Sequence, residues 1–223
     1  MTNTAENIFN NFNVNKFRRD HTQDKKEIVG LIKSSLKKSI PLKFVMYWGK
    51  GMRDTCGEPE KQALEYLSSF LDRIETDTEL LVIYTDTHVD LNGYPAKGSE
   101  SYLNSLEEIL EEYNFRLDIM SNHVPHDPVL VLEKMEEFSP DPKLKKNLEN
   151  SSKKRHRNGD YKIGAHKYYV QNLIENKFME KEFSDYIFLT YNSPALNNLL
   201  PKLPKFYMHS LRKGKSEKPW FIM

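Results

Sequence analysis

Glu79-Leu-Leu-Val-Ile-Tyr84 constrains the fold more than any other stretch of the chain. A short, near-continuous apolar run with no polar alternation reads as a strand buried on both faces, which is the signature of a parallel sheet covered by helices on each side. Lys43-Phe-Val-Met-Tyr-Trp48 is a second run of this kind, stopped by Gly49-Lys50-Gly51. Between the two, Pro59 suits a helix start, and Ala63, Leu64, Leu67, Phe70, Leu71 and Ile74 follow at helical spacing. After the second run, Ser99 can cap a helix with Leu103, Leu106, Ile109, Leu110 and Tyr113 on its inner face. Phe115 to Met120 is a third strand, Tyr186 to Tyr191 a fourth, and Phe206 to His209 a fifth. Strands alternating with helices predict an α/β fold, a Rossmann-like and mostly parallel sheet with helices on both faces.

The spacing predicts one α/β domain over residues 41–223, preceded by a polar extension over 1–40 with one helix, striped by Ile28, Val29, Leu31, Ile32 and Leu36. Pro125, Pro128, Pro140 and Pro142 break residues 121–160, which read as an irregular, mobile insertion. A helical stripe returns over 161–182 with Ile163, Tyr169, Val170, Leu173, Ile174 and Phe178.

Composition narrows the functional classes. The 223 residues carry 33 Lys and Arg against 32 Asp and Glu, so the formal charge is +1 and no global field favours DNA. No apolar run approaches the roughly 20 residues of a membrane helix. Cys56 is the one cysteine, which suits a reducing compartment, and no signal peptide is recognisable. The expectation is a cytoplasmic protein that binds neither DNA nor membrane.

In parallel sheets all strands end on one edge, where open α/β folds bind ligands. The loops after Trp48, Tyr84 and Met120 should therefore converge. Directly after the second strand stands Asp86-Thr-His88-Val-Asp90-Leu-Asn92-Gly93. In an extended chain, period two would point Asp86, His88 and Asp90 the same way, with Asn92 continuing the row. Two carboxylates and an imidazole can form an acid–base cluster or hold a divalent metal. Loop caps and a turn are the plain alternative. The loop Trp48-Gly-Lys50-Gly-Met-Arg53 offers backbone amides and two cations to an anion, with Trp48 as a substrate contact. It lacks the glycine spacing of nucleotide-binding loops. Asn192, after the fourth strand, and Glu175, beside the apolar stripe of the last helix, would complete a pocket; a helix-boundary charge is the plain reading of Glu175. His123 and His126 have metal-compatible spacing but lie in a polar loop. Lys16 to Lys26 and Lys153 to Arg157 are basic stretches that suit RNA phosphates or simple solvation.

The order of features resembles the isocyanide synthases of the pyoverdine and dityrosine type, from about Leu42 onward. The resemblance rests on Gly57-Glu-Pro59-Glu60 with the Ala63-Leu64 helix, Ile83-Tyr-Thr-Asp86, Asp90-Leu91-Asn-Gly93, Tyr169 to Glu175, and Pro219-Trp220. It implies an enzyme that joins the nitrogen of an amino acid to a carbon from a sugar phosphate, with Lys50 and Arg53 on the phosphate and Asp86 near the amine. Val82 to Asp90 also resembles a strand-end segment of cyclodipeptide synthases, which use aminoacyl-tRNA; where that family has a serine nucleophile, this chain has Tyr47-Trp48-Gly49-Lys50. Asp86-x-His88-x-Asp90 is similar to part of the manganese site of arginase-like ureohydrolases, whose other metal-binding segments are missing. A non-catalytic ligand-binding module is the third reading of the same cleft.

Overall fold

Leu42–Trp48 (β1) is the central strand. Thr78–Tyr84 (β2) pairs with it along its whole length, Leu42 opposite Thr78 and Trp48 opposite Tyr84. Arg116–Ile119 (β3) extends the sheet beyond β2. Ile187–Thr190 (β4) lies on the other side of β1, and Lys205–Tyr207 (β5) beyond β4. The order is β3-β2-β1-β4-β5, and every pairing is parallel. The computed structural model describes residues 2–18, 24–49, 54–88, 98–124, 127–155, 160–191 and 194–208.

Side-chain alternation sends the strands' apolar residues to two cores. Phe44, Met46 and Trp48 of β1 and Leu80, Val82 and Tyr84 of β2 face one layer. There they meet Thr2–Phe12 (α1), Lys25–Lys38 (α2), Glu58–Leu71 (α3) and Ser99–Glu112 (α4). Val45, Leu81 and Ile83 face the opposite layer, with Met179 and Phe183 at the end of the long helix Tyr161–Glu182, called α7 below. The apolar runs become strands because both faces are covered, as a continuous rather than alternating pattern requires.

Several expectations are corrected. The N-terminal extension carries two helices rather than one, and α1 belongs to the core: Ala5, Ile8, Phe9 and Phe12 are fully buried. Residues 121–160 are not an irregular insertion. Pro128–Glu137 (α5) and Pro142–Arg155 (α6) are helices, each with a proline where the missing N–H costs nothing. Asp127 caps α5 by accepting from the amides of Val129 and Leu130, and Asp141 does the same for α6 at Lys143 and Leu144. Helix α4 begins with Ser99; Gly98, at φ 88°, takes the cap position. A Cβ at Gly98 would lie 2.1 Å from Asp54 Oδ1, so only glycine fits this left-handed position beside Asp54.

The stripe on α7 is rotated. Ile163 is exposed, Leu173 and Ile174 are only partly covered, and the fully buried face carries Gln171, Asn172, Glu175 and Asn176.

Candidate functional site

The chain leaves β2 through Thr85, whose amide and hydroxyl both reach the carbonyl of Trp48, at 2.9 and 3.3 Å. This is the last rung between β1 and β2. With no further partner strand, the chain turns: the amide of His88 closes onto the carbonyl of Thr85 at 3.2 Å, and Thr87 and His88 are already helical. The extended alternation expected for Asp86, His88 and Asp90 is therefore absent at its first two members. Asp86 and His88 point to different partners. Asp86 Oδ1 accepts from the amide of Ser121, just past β3, at 3.1 Å. His88 turns under α7.

There the structure places a buried carboxylate. Glu175 is fully buried, and three side chains donate to it. Thr87 Oγ1 lies 2.5 Å and Gln171 Nε2 2.8 Å from Oε1, while His88 Nε2 lies 2.8 Å from Oε2. Burial alone would push the Glu175 carboxyl up, but the facing charge of His88 and the bonds from His88, Thr87 and Gln171 outweigh it and hold the group below its ordinary value. Glu175 is thus an anion inside the protein. Tyr47, on the same face of β1, donates to Asn176 Oδ1 at 3.0 Å. Burial, then the charge of Glu175, raises its phenol far above the ordinary range, so Tyr47 stays a neutral hydroxyl. The ring of Tyr168 packs against His88, with centroids 4.8 Å apart.

The arrangement has a definite chemical capacity. Because Glu175 accepts from Nε2, a neutral His88 ring carries its free lone pair on Nδ1. A carboxylate that fixes the tautomer and orientation of an imidazole is the orienter–base pairing of many proton-transfer sites.

The sequence-predicted residues divide. Asp86, His88 and Glu175 stand at the same sheet edge, with Glu175 central rather than peripheral. Trp48 is fully buried on the opposite side of the sheet from Tyr47, its Nε1 donating to Tyr102 Oη at 3.1 Å. Lys50, Arg53, Asp90, Asn92, Asn192 and His126 lie outside the described residues. His123 bonds Asp118 at 2.7 Å and stacks on Phe178. Among the described residues, no cluster of three His, Cys, Asp or Glu could hold a metal ion. Sequence reasoning missed Thr87, Tyr47, Tyr168, Gln171, Asn172 and Asn176. A signal existed: Gln171/Glu175 and Asn172/Asn176 are two adjacent i,i+4 rows, a polar stripe at helical period inside a helix that the sheet must cover.

Tyr47→Phe should remove the bond to Asn176 and nothing else. The expected cost is about 1 kcal/mol in a urea unfolding titration, and an unchanged midpoint would mean that this bond adds nothing to the site's rigidity.

Compared with known proteins, the sequence matches no family, and no curated protein matches it. Solved structures do match. The crystal structure of the PvcA protein from Pseudomonas aeruginosa covers 97% of this chain and is itself covered over 87%, with a TM-score of 0.71 and 15% identity. The chain shares its fold with PvcA. A tyrosyl-tRNA synthetase from Archaeoglobus fulgidus, complexed with L-tyrosine, covers 93% of the chain over 63% of its own length, at 14% identity and TM-score 0.50. A cyclodipeptide synthase from Staphylococcus haemolyticus covers 87% over 98% of its own length, at 11% identity and TM-score 0.50. The chain is thus a Rossmann-like α/β protein whose neighbours include biosynthetic enzymes. Among the described residues, no helix is long and apolar enough to cross a membrane.

Proposed function

We propose that this protein is a biosynthetic enzyme acting on an amino acid in the manner of isocyanide synthases, condensing the amine with a sugar phosphate. The observation that carries this reading is the buried His88–Glu175 pair just past the C-terminal end of β2 in a sheet that shares its fold with PvcA. His88, oriented by Glu175, moves the proton that the amine must lose. In this reading Asp86 and Asp90 orient that amine, Lys50 and Arg53 hold the phosphate by charge-assisted bonds, and Asn92 and Asn192 are further substrate contacts.

The test is comparative mass spectrometry of metabolites from cells producing the wild type or His88→Ala. A new amino-acid derivative should appear with the wild type alone, and its mass separates an isocyanide from a cyclic dipeptide. Equal amounts of the product from both proteins would overturn the role given to His88.

A second reading, an enzyme using aminoacyl-tRNA, draws on the tRNA-related neighbours and on helix α6, whose sequence PKLKKNLENSSKKR is rich in lysine. It predicts RNA that copurifies and is lost steeply with salt.

A further inference from the structure

Helices α5, α6 and the start of α7 enclose a groove of about 550 Å³, lined by neither His88 nor Glu175 and unused by the function proposed above. This is the size of ordinary small-molecule sites. Its floor is apolar and well ordered by packing: Leu148 and Ala165 are buried in a small cluster with Leu144 and Leu199. Met135, Pro140, Pro142 and Ile163 form apolar walls. Ile163 is 48% exposed, and Val129 and Leu132 on α5 are also exposed, at 64% and 50%. An uncovered isoleucine in a concave apolar wall is the informative case of surface hydrophobicity, unlike one scattered singly.

The polar lining is equally specific. Lys145 stands on the α6 side and Lys162 on the α7 side, and Glu149 follows Lys145 by one helical turn. Along the lining two ammonium groups stand against one carboxylate, with the capping carboxylates Asp141 and Asp160 turned to the backbone amides of α6 and α7. His166 also lines the groove, but its Nε2 donates to the carbonyl of Phe138 at 2.6 Å, tying the end of α5 to α7 and bracing the walls. The first turn of α7 is already capped, the Asp160 carboxylate accepting from the Lys162 amide at 2.8 Å, so the helix end itself offers no free amide there.

We infer that this groove binds a small monoanion with an apolar body, an acyl or aryl carboxylate, with the body on Leu148, Ala165 and Ile163 and the carboxylate between Lys145 and Lys162. Volume, apolar floor and the two lysines on facing walls agree on that class.

Decanoate is the probe, titrated calorimetrically into the full chain, with 1-decanol and acetate as controls. The expected result is saturable binding of one decanoate per chain with a dissociation constant below about 1 mM, at least tenfold weaker binding of decanol, and none of acetate. Lys145→Glu with Lys162→Glu, both at exposed positions and checked for an unchanged thermal midpoint, should weaken decanoate at least tenfold. Ile163→Glu should weaken it as well, by charge and by lost apolar contact. Absent saturation, or equal binding by the charge-reversed protein, would overturn the inference. So would sedimentation showing a dimer that Ile163→Glu disperses and decanoate does not, because the groove would then be an interface between two copies.

Discussion

Replacing Glu175 by alanine should destabilise the protein by about 3–5 kcal/mol, the cost of breaking a buried charged pair by removing one partner. Thr87, His88 and Gln171 would lose their common acceptor in a place that water does not reach. Glu175→Gln keeps the shape but puts an amide against three donors, so its cost should be smaller, about 1–3 kcal/mol. Urea unfolding of the three proteins measures both. The same carboxylate sets a pH dependence with a fixed sign. Its folded-state pKa lies below the ordinary 4.5, so its stabilisation is complete above that value and disappears as pH falls through the lowered folded value. The wild type should therefore lose its advantage over Glu175→Gln in strong acid and keep it in full at neutral pH. A difference independent of pH would mean that Glu175 acts through packing rather than charge.

Phe12→Ala should be as damaging, at about 3–5 kcal/mol, for a different reason. Phe12 is fully buried, and its ring meets those of Phe9, Phe44, Phe70 and Phe206 at 5.5, 6.4, 5.6 and 5.5 Å, edge-on in each case. It joins α1 to α3 and to strands β1 and β5, so its loss leaves a cavity that several elements border and none can fill. Thermal melting of the variant should show a lower midpoint with a single cooperative transition. A midpoint close to that of the wild type would mean that α1 is an appendage rather than part of the core.

The strands were legible because a fully buried strand writes itself as an unbroken apolar run. Glu79 to Tyr84 and Lys43 to Trp48 reproduce β2 and β1 to within a residue, and the parallel order follows from the helices between them. Helix α1 was harder. Ala5, Ile8, Phe9 and Phe12 do fall at helical spacing, but the surrounding asparagines have poor helix propensity, and only the waiting Phe44, Phe70 and Phe206 make the helix worth forming. The site was half legible. An apolar stripe is read from the assumption that burial follows hydrophobicity, and α7 inverts that rule where Gln171 and Glu175 face Thr87 and His88. The turn at Asp86 depends on where β1 stops pairing, which no local spacing encodes.

Glu175 and His88 are 87 residues apart in the chain. During synthesis, β1, β2 and β3 can all pair before α7 has left the ribosome, since each lies earlier in the sequence. At that stage His88 has no carboxylate to hold it, and the β4 side of β1 is still an open edge. The pair closes only when the last helix folds back over the sheet, followed by β4 and β5. Chains cut short upstream of α7 would carry most of the sheet without the His88–Glu175 pair, so incomplete products would have no means of running its chemistry.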